Sequence, residues 1–288
     1  MANNVFMTLI STNDYIYGCV SLMYSWKKTQ SKYPFYCLVT PQITKRNRDI
    51  LEFLGYSLIE IEDYVPDSYW RLLQEDNDVI KGCSKDSLQS NGWQHAWNKF
   101  HMYNMTQFDK ICYIDADVVV LQNIDDIFNY PGGTSAEEWW AWSDKRWWFL
   151  AGILIIEPNT AEYERILQFA EENPIIDGEL SNDMKLLNKL YSDWGDHFEL
   201  HLPEYYFVET TYFSVKEYDS YLFENLMKIR ILHLSHYMKP WQVNNAYFDG
   251  HFGGQWETWA FIHKRYIAYL NQCLEDLHNK GWDLMLIK

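Results

Sequence analysis

The sequence predicts an α/β fold: a mostly parallel sheet flanked by helices, in a single domain. Three observations carry this. Strand-type and helix-type patterns alternate from Val5 to Ile61, and a β-α-β-α-β order implies parallel strands joined by right-handed crossovers. Further on, the runs Ile111–Ile114, Val118–Leu121 and Ile153–Ile156 are apolar and rich in β-branched residues, which reads as buried strand. The chain has 288 residues and is 48% hydrophobic, enough for one large core and too apolar for disorder.

The elements follow in order. Val5 to Ile10 reads as the first strand, and Ser11-Thr-Asn-Asp-Tyr15 as a polar turn. Val20, Leu22, Met23 and Trp26 carry helical spacing. Phe35 to Val39 is the second strand. Pro41 and Thr44 open a helix that runs to Leu54 and closes at Gly55. Leu58 to Ile61 is the third strand. The segment from Asp63 to Gln94 is polar and irregular, as lids and acceptor loops often are. After Ile153–Ile156, Asn159 with Glu162 resembles a capping box, followed by Tyr163, Ile166, Leu167 and Ala170 at helical spacing up to Pro174. Ile229 to Leu232 reads as a late strand. A closing helix runs from Thr258 to His278, with Ile262, Tyr266, Leu270, Cys273 and Leu277 on one stripe. The expected division is a catalytic domain over residues 1–250, with residues 251–288 as a helical segment packed on it.

Charge and cysteine content narrow the function. A net charge of −16 argues against nucleic-acid and membrane-surface partners. Five cysteines, an odd number without a C-x-x-C pair, fit a reducing compartment, and the N-terminus lacks a signal-peptide pattern. The expected location is the cytoplasm. No run is long and apolar enough to span a bilayer. Neither G-x-G-x-x-G nor a Walker A sequence follows the first strand, which disfavours dehydrogenases and P-loop enzymes.

The chemistry concentrates around Asp115-Ala116-Asp117, wedged between two strand-type runs. Alone, D-x-D is common and usually caps a helix or ends a loop. Between two buried runs, two adjacent carboxylates repel each other, and a hard cation relieves that repulsion. Ligands in parallel sheets sit beyond the carboxyl ends of the strands, where this pair falls. Far downstream stands His233-Leu-Ser-His236-Tyr-Met-Lys239-Pro240-Trp241. An imidazole with two carboxylates suits Mn²⁺ better than Mg²⁺, the second choice, and Lys239 is a compact charge suited to phosphate.

Together these motifs resemble glycosyltransferase family 8, its glycogenin branch above all. The family's H-x-x-G-x-x-K-P-W aligns with His233, Lys239, Pro240 and Trp241, and its D-x-D with Asp115 and Asp117, followed by Asn123-Ile-Asp-Asp126. Thr8-Leu9, Thr12-Asn13-Asp14 and Thr40-Pro-Gln42 match as well, so the likeness runs from about residue 5 to residue 243. The resemblance implies a GT-A type, Rossmann-like fold and retaining transfer of a hexose, glucose first, from a UDP-sugar with Mn²⁺. It implies Asp115, Asp117 and His233 as metal ligands, with Ala116 between them at the donor. Lys239 and His236 would lie at the diphosphate, and Leu9, Thr12, Asn13 and Tyr15 at uridine, Tyr15 stacking on uracil. Lys99 and Asp183 would be catalytic, at the donor sugar. The acceptor would be a glycan or a tyrosine on the protein itself; Tyr212 and Tyr218 flank the matching position, Ser214, and are the candidate self-acceptors. A homodimer is implied too.

Three positions depart from the family pattern. His236 replaces the motif glycine, Met184 replaces the glutamine after Asp183, and Phe149-Leu-Ala-Gly152 replaces Phe-Asn-Ser-Gly. Donor or linkage can therefore differ from glycogenin. The alternatives are a UDP-galactose transferase of the same family, of galactinol synthase or cell-surface glycan type, and a silent sugar-nucleotide-binding protein. Trp139, Trp140, Trp142, Trp147 and Trp148 crowd one stretch, read as core or interface first and acceptor platform second.

Overall fold

The computed structural model describes residues 2–74, 93–137, 148–214, 224–235, 239–243 and 257–284. His236, Tyr218, Trp139, Trp140, Trp142 and Trp147 lie outside the described residues. So do residues 75–92 of the expected polar segment and the expected boundary at residue 250.

The chain opens β1 (Asn4–Ile10), α1 (Ile16–Lys28), β2 (Phe35–Val39), α2 (Lys45–Leu54), β3 (Ser57–Glu60) and α3 (Asp67–Gln74). It continues through β4 (Lys110–Ile114), β5 (Val118–Val120), β6 (Ile153–Ile156) and α4 (Thr160–Glu172). The short pair β7 (Ile175–Ile176) and β8 (Glu179–Leu180) precedes α5 (Asp183–Leu190). Then come β9 (Phe207–Glu209), β10 (Ile231–His233) and α6 (Glu257–Asn279). The central sheet has the order β3-β2-β1-β4-β6. Its first four strands run parallel, and β6 returns antiparallel to β4. The predicted α/β class with a mostly parallel sheet is the one observed.

Strand β1 shows why the sheet lies at the centre. Phe6 and Ile10 pack into one apolar cluster, while Val5, Met7 and Leu9 pack into another. Successive side chains leave a strand on opposite faces, so an unbroken apolar run feeds two cores at once. Helix α2 begins where Thr44 accepts a hydrogen bond from the Asn47 amide and stops at Gly55, whose φ of 100° suits glycine. At α4, Asn159 accepts from the Glu162 amide. The Glu162 carboxylate binds Arg165 and the Tyr191 hydroxyl instead of completing the expected capping box. Helix α6 is tied to α1 by the buried Ser21 and Tyr266 hydroxyls, 2.8 Å apart. Among the described residues no helix is long and apolar enough to cross a membrane. Cys19, Cys37, Cys112 and Cys273 are unpaired and buried.

One feature was not expected. A second, three-stranded sheet of order β5-β10-β9 sits beside the first. In it β10 pairs antiparallel with β5, His233 opposite Val118, and parallel with β9, His233 beside Glu209. The strand forecast at Ile229–Leu232 is displaced to Ile231–His233. Ile229 is fully buried but belongs to a turn, its amide bonded to the Leu226 carbonyl. Burial of an apolar residue does not by itself make it strand.

Candidate active site

The link from β4 to β5 is the three-residue turn Asp115-Ala116-Asp117, which passes the chain from the large sheet to the small one. Two backbone bonds fix it. The Asp115 amide donates to the Gly152 carbonyl at 2.9 Å, and the Leu234 amide donates to the Asp117 carbonyl at 2.9 Å. Because His233 ends β10 directly beside the start of β5, it arrives at the same turn. One ligand atom from each of Asp115, Asp117 and His233 lies within 4.8 Å of the others.

Two glycines make room for this. A Cβ on Gly18 in α1 would lie 2.6 Å from the Ala116 carbonyl oxygen, so only glycine lets the helix approach the turn this closely. A Cβ on Gly152 would stand 3.1 Å from both Asp115 Oδ2 and Phe207 Cζ and 3.4 Å from His233 Cε1, crowding two of the three candidate ligand side chains. The donor set, two carboxylates and an imidazole whose ligand atoms lie within 4.8 Å of one another, fits a divalent cation.

Basic groups face the carboxylates. Lys239 Nζ lies 2.5 Å from Asp117 Oδ2, and His233 Nε2 lies 3.3 Å from Asp117 Oδ1 and 3.9 Å from Asp115 Oδ2. Burial opposes the Asp117 charge, but Lys239 and His233 hold its carboxyl well below the usual carboxylate range. Burial would lower His233, yet Asp117 and Glu209 push it up to about 10. Lys239 is likewise held above its ordinary value, Asp117 outweighing burial. Its loop is pinned: the Gln242 side chain accepts from the Lys239 amide and donates to Asp14 Oδ2, each at 2.9 Å. Buried Trp241 packs edge-on to Tyr15, ring centres 5.4 Å apart.

Lys99 is the second buried cation. Its ammonium contacts Asp183, donates to the Ala151 carbonyl at 3.0 Å and lies 3.6 Å from Asp115 Oδ1. It also sits 4.9 Å above the Tyr113 ring, and the Tyr113 hydroxyl donates to Asp115. Burial opposes the Lys99 charge, but Asp115 and Asp183 raise its pKa all the same.

The structure brings most of the sequence-derived residues to one cleft of about 330 Å³. Leu9, Thr12 and Tyr15 line it, with Lys99, Asp115, Ala116, Asp117, Asp183, His233 and Lys239. Asn13 does not line it. Its side chain instead accepts from the Thr44 amide and the Asn47 side chain and donates to the Gln42 carbonyl, tying the β1 turn to α2. Tyr212 is 6% exposed and packs in the core near α6. Leu150, Ala151 and Met184, where polar residues stand in the resembled motifs, all line the cleft.

Sequence reasoning missed Glu209 and Tyr113. Glu209 is 8% exposed, and its Oε1 lies 3.0 Å from His233 Nδ1. The signal for it was the one that exposed Asp115: a carboxylate directly after a short apolar run, here Phe207-Val208.

Known proteins share this sequence pattern and this fold. The model of the family described as glycosyl transferase family 8 matches residues 5–245. Glycogenin-1 of Caenorhabditis elegans is 24% identical over 278 residues, covering 94% of this chain and 58% of that protein. Glycogenin-1 of Homo sapiens is 26% identical over 246 residues, covering 84% and 63%. The chain thus spans less than two thirds of these relatives' length. Galactinol synthase 7 of Arabidopsis thaliana is 25% identical over 201 residues, covering 59% and 56%. Among solved structures, the galactosyltransferase LgtC with donor and acceptor sugar analogues superposes with a TM-score of 0.54 at 14% identity, covering 89% of this chain and 99% of that one. The glycosyltransferase GlyE of Streptococcus pneumoniae gives 0.55 at 17%, covering 99% and 66%. At such identities these likenesses establish the GT-A fold.

Proposed function

The chain belongs to glycosyltransferase family 8, and from that membership we propose that it transfers a hexose, glucose first, from a UDP-sugar to an acceptor hydroxyl with retention of anomeric configuration. One observation carries the reading: the convergence of Asp115, Asp117 and His233 on a single focus beside Lys239. Asp115, Asp117 and His233 would hold Mn²⁺, or Mg²⁺ as second choice. Bound there, the cation would offset the charge that builds on the leaving diphosphate. Lys239 would meet the diphosphate, with Leu9, Thr12 and Tyr15 around uridine. Asn13, held by α2, would act by shaping that turn.

In the transfer the anomeric carbon–phosphate oxygen bond breaks and a bond to the acceptor oxygen forms on the same face. The acceptor's proton passes to the departing phosphate oxygen. Lys99 and Asp183 would bind the hexose. Asp183 is engaged by the Lys99 ammonium, which blunts it as a nucleophile and favours this direct route over a covalent one. UDP-galactose is the second donor, because Leu150, Ala151 and Met184 give the cleft apolar wall where the resembled motifs are polar. We take the acceptor to be a glycan in preference to Tyr212, which is buried in the core and does not line the cleft. Tyr218 stays the self-acceptor to test. The protein would act in the cytoplasm as a homodimer.

The test is a screen of UDP-glucose, UDP-galactose and UDP-glucuronate with Mn²⁺, reading UDP release and intact protein mass. Turnover of UDP-glucose above the others is expected. No release from any of them, with a panel of free sugars and oligosaccharides supplied as acceptors, would leave a silent binder, and protein mass that stays constant would exclude self-glucosylation.

A further inference from the structure

We propose that Glu209 is a positioning residue: it fixes the His233 imidazole so that Nε2 faces Asp115 and Asp117, and thereby sets the affinity of the cleft for a divalent cation. This rests on the metal-dependent reading above. A carboxylate can only accept, so the 3.0 Å contact between Glu209 Oε1 and His233 Nδ1 requires the hydrogen on Nδ1. Nε2 is then the nitrogen free to ligate, and it is the one 3.3 Å from Asp117 and 3.9 Å from Asp115.

Apolar groups hold the ring between these carboxylates. Phe207 and Glu209 stand two apart on β9 and therefore project from the same face. The Phe207 ring lies 5.2 Å from the His233 ring, so one strand supplies both an apolar wall and the acceptor. Gly152 closes in from the Cε1 side. A structural role explains Glu209 poorly. A buried carboxylate beside two others costs stability, and a neutral acceptor at the same strand position would hold the sheet as well. What the charge adds is a more basic Nε2, the effect that an acceptor behind a ligating histidine exerts on metal affinity.

The experiment titrates the full chain and its E209Q and E209A variants with Mn²⁺, reading free Mn²⁺ by electron paramagnetic resonance, and melts each protein without metal. Loss of such an acceptor typically weakens metal binding by about 10- to 100-fold, so that loss is expected for E209A, with E209Q between it and the parent. The E209Q protein, whose amide oxygen still accepts from Nδ1, should melt close to the parent without metal. Mn²⁺ binding by E209A within twofold of the parent overturns the proposal. So does an affinity loss in both variants that is equal and matched by a fall in metal-free melting temperature, which would make Glu209 a fold residue. Failure of the parent itself to bind Mn²⁺ overturns the metal reading, and this proposal with it.

Discussion

Replacing Asp117 with Asn tests the site at its most connected point. The side chain is 5% exposed and pairs with both Lys239 and His233. The amide has the same shape, so the perturbation is one charge. Removing one partner of a buried ion pair costs about 3–5 kcal/mol, because the other charge is left uncompensated. Two cations lose a partner here, but they differ. His233, held up at about 10 chiefly by Asp117, can shed its proton near neutrality once Asp117 is neutral. Lys239 cannot. The lower end, about 3 kcal/mol, therefore applies, which for a chain of this size lowers the melting temperature by roughly 6 °C. A second readout separates stability from function. At a hundredfold excess over its dissociation constant a ligand stabilises by about 2.7 kcal/mol, so Mn²⁺ should raise the parent's melting temperature by about 5 °C. D117N should show no such rise. Its UDP-sugar turnover should fall about 100-fold or more, the scale for losing one preorganised electrostatic contact. A folded D117N that turns over within tenfold of the parent, with Mn²⁺ supplied, would refute the assignment of Asp117 to the metal.

Gly18→Ala should destabilise despite the roughly 1 kcal/mol that alanine offers a helix, since the new Cβ meets the Ala116 carbonyl at 2.6 Å and backbone cannot step aside cheaply. A net loss of about 1–3 kcal/mol is expected in denaturant melts, and a stabilised variant would contradict the close approach. His233→Gln should narrow its stability deficit as pH rises. A folded pKa near 10, above the ordinary 6.5, makes the histidine's contribution complete below about pH 6.5 and lost on the way to about pH 10. Melting both metal-free proteins from pH 6 to pH 10 checks the sign, and a widening gap would reverse it. UDP should bind more tightly with Mn²⁺ than without it by calorimetry. Equal affinities would deny any coupling between cation and nucleotide.

How much of this was legible depended on how local the determinant was. The pair Asp115 and Asp117 showed itself because two charges interrupt a run of buried strand type, and Lys239 because a charged residue precedes Pro-Trp. Two strands of the small sheet were read, at Val118–Leu121 and Ile229–Leu232, but the sheet itself was not: β9, three residues long, is too short to display a period, and the pairing joins segments that are remote in sequence. Glu209 was hidden for the same reason: its meaning comes from standing beside His233 across β9 and β10, a neighbour that only the topology supplies. Gly18 carried no signal, and Gly152 stood out only as the last residue of the resembled Phe-Asn-Ser-Gly pattern, because what makes both necessary is the approach of Ala116 and Asp115 from elsewhere in the chain. Asn13 was read as a ligand contact, yet local bonds to α2 hold its side chain, as short polar side chains near turns tend to be held.

The charges in the cleft explain why a cation and a diphosphate would depend on each other there. Four carboxylates, Asp115, Asp117, Asp183 and Glu209, share the space with Lys99, Lys239 and His233. With His233 protonated, the formal balance is one negative charge, and each base is already engaged: Lys99 with Asp183, Lys239 with Asp117, His233 with Asp117 and Glu209. A diphosphate entering alone would have to pull Lys239 from Asp117 and leave that carboxylate buried without a partner, at the cost already argued for a broken pair. Were a divalent cation to take up the Asp117 charge, Lys239 would be free to meet the phosphates, and His233 would have to give up its Nε2 proton to ligate. The exchange adds only about one net positive charge, so the cleft stays close to neutral before and after. The pairing of Lys239 with Asp117 would thus stand in for the cation and keep the ligand geometry formed, and nucleotide affinity would then depend on the metal.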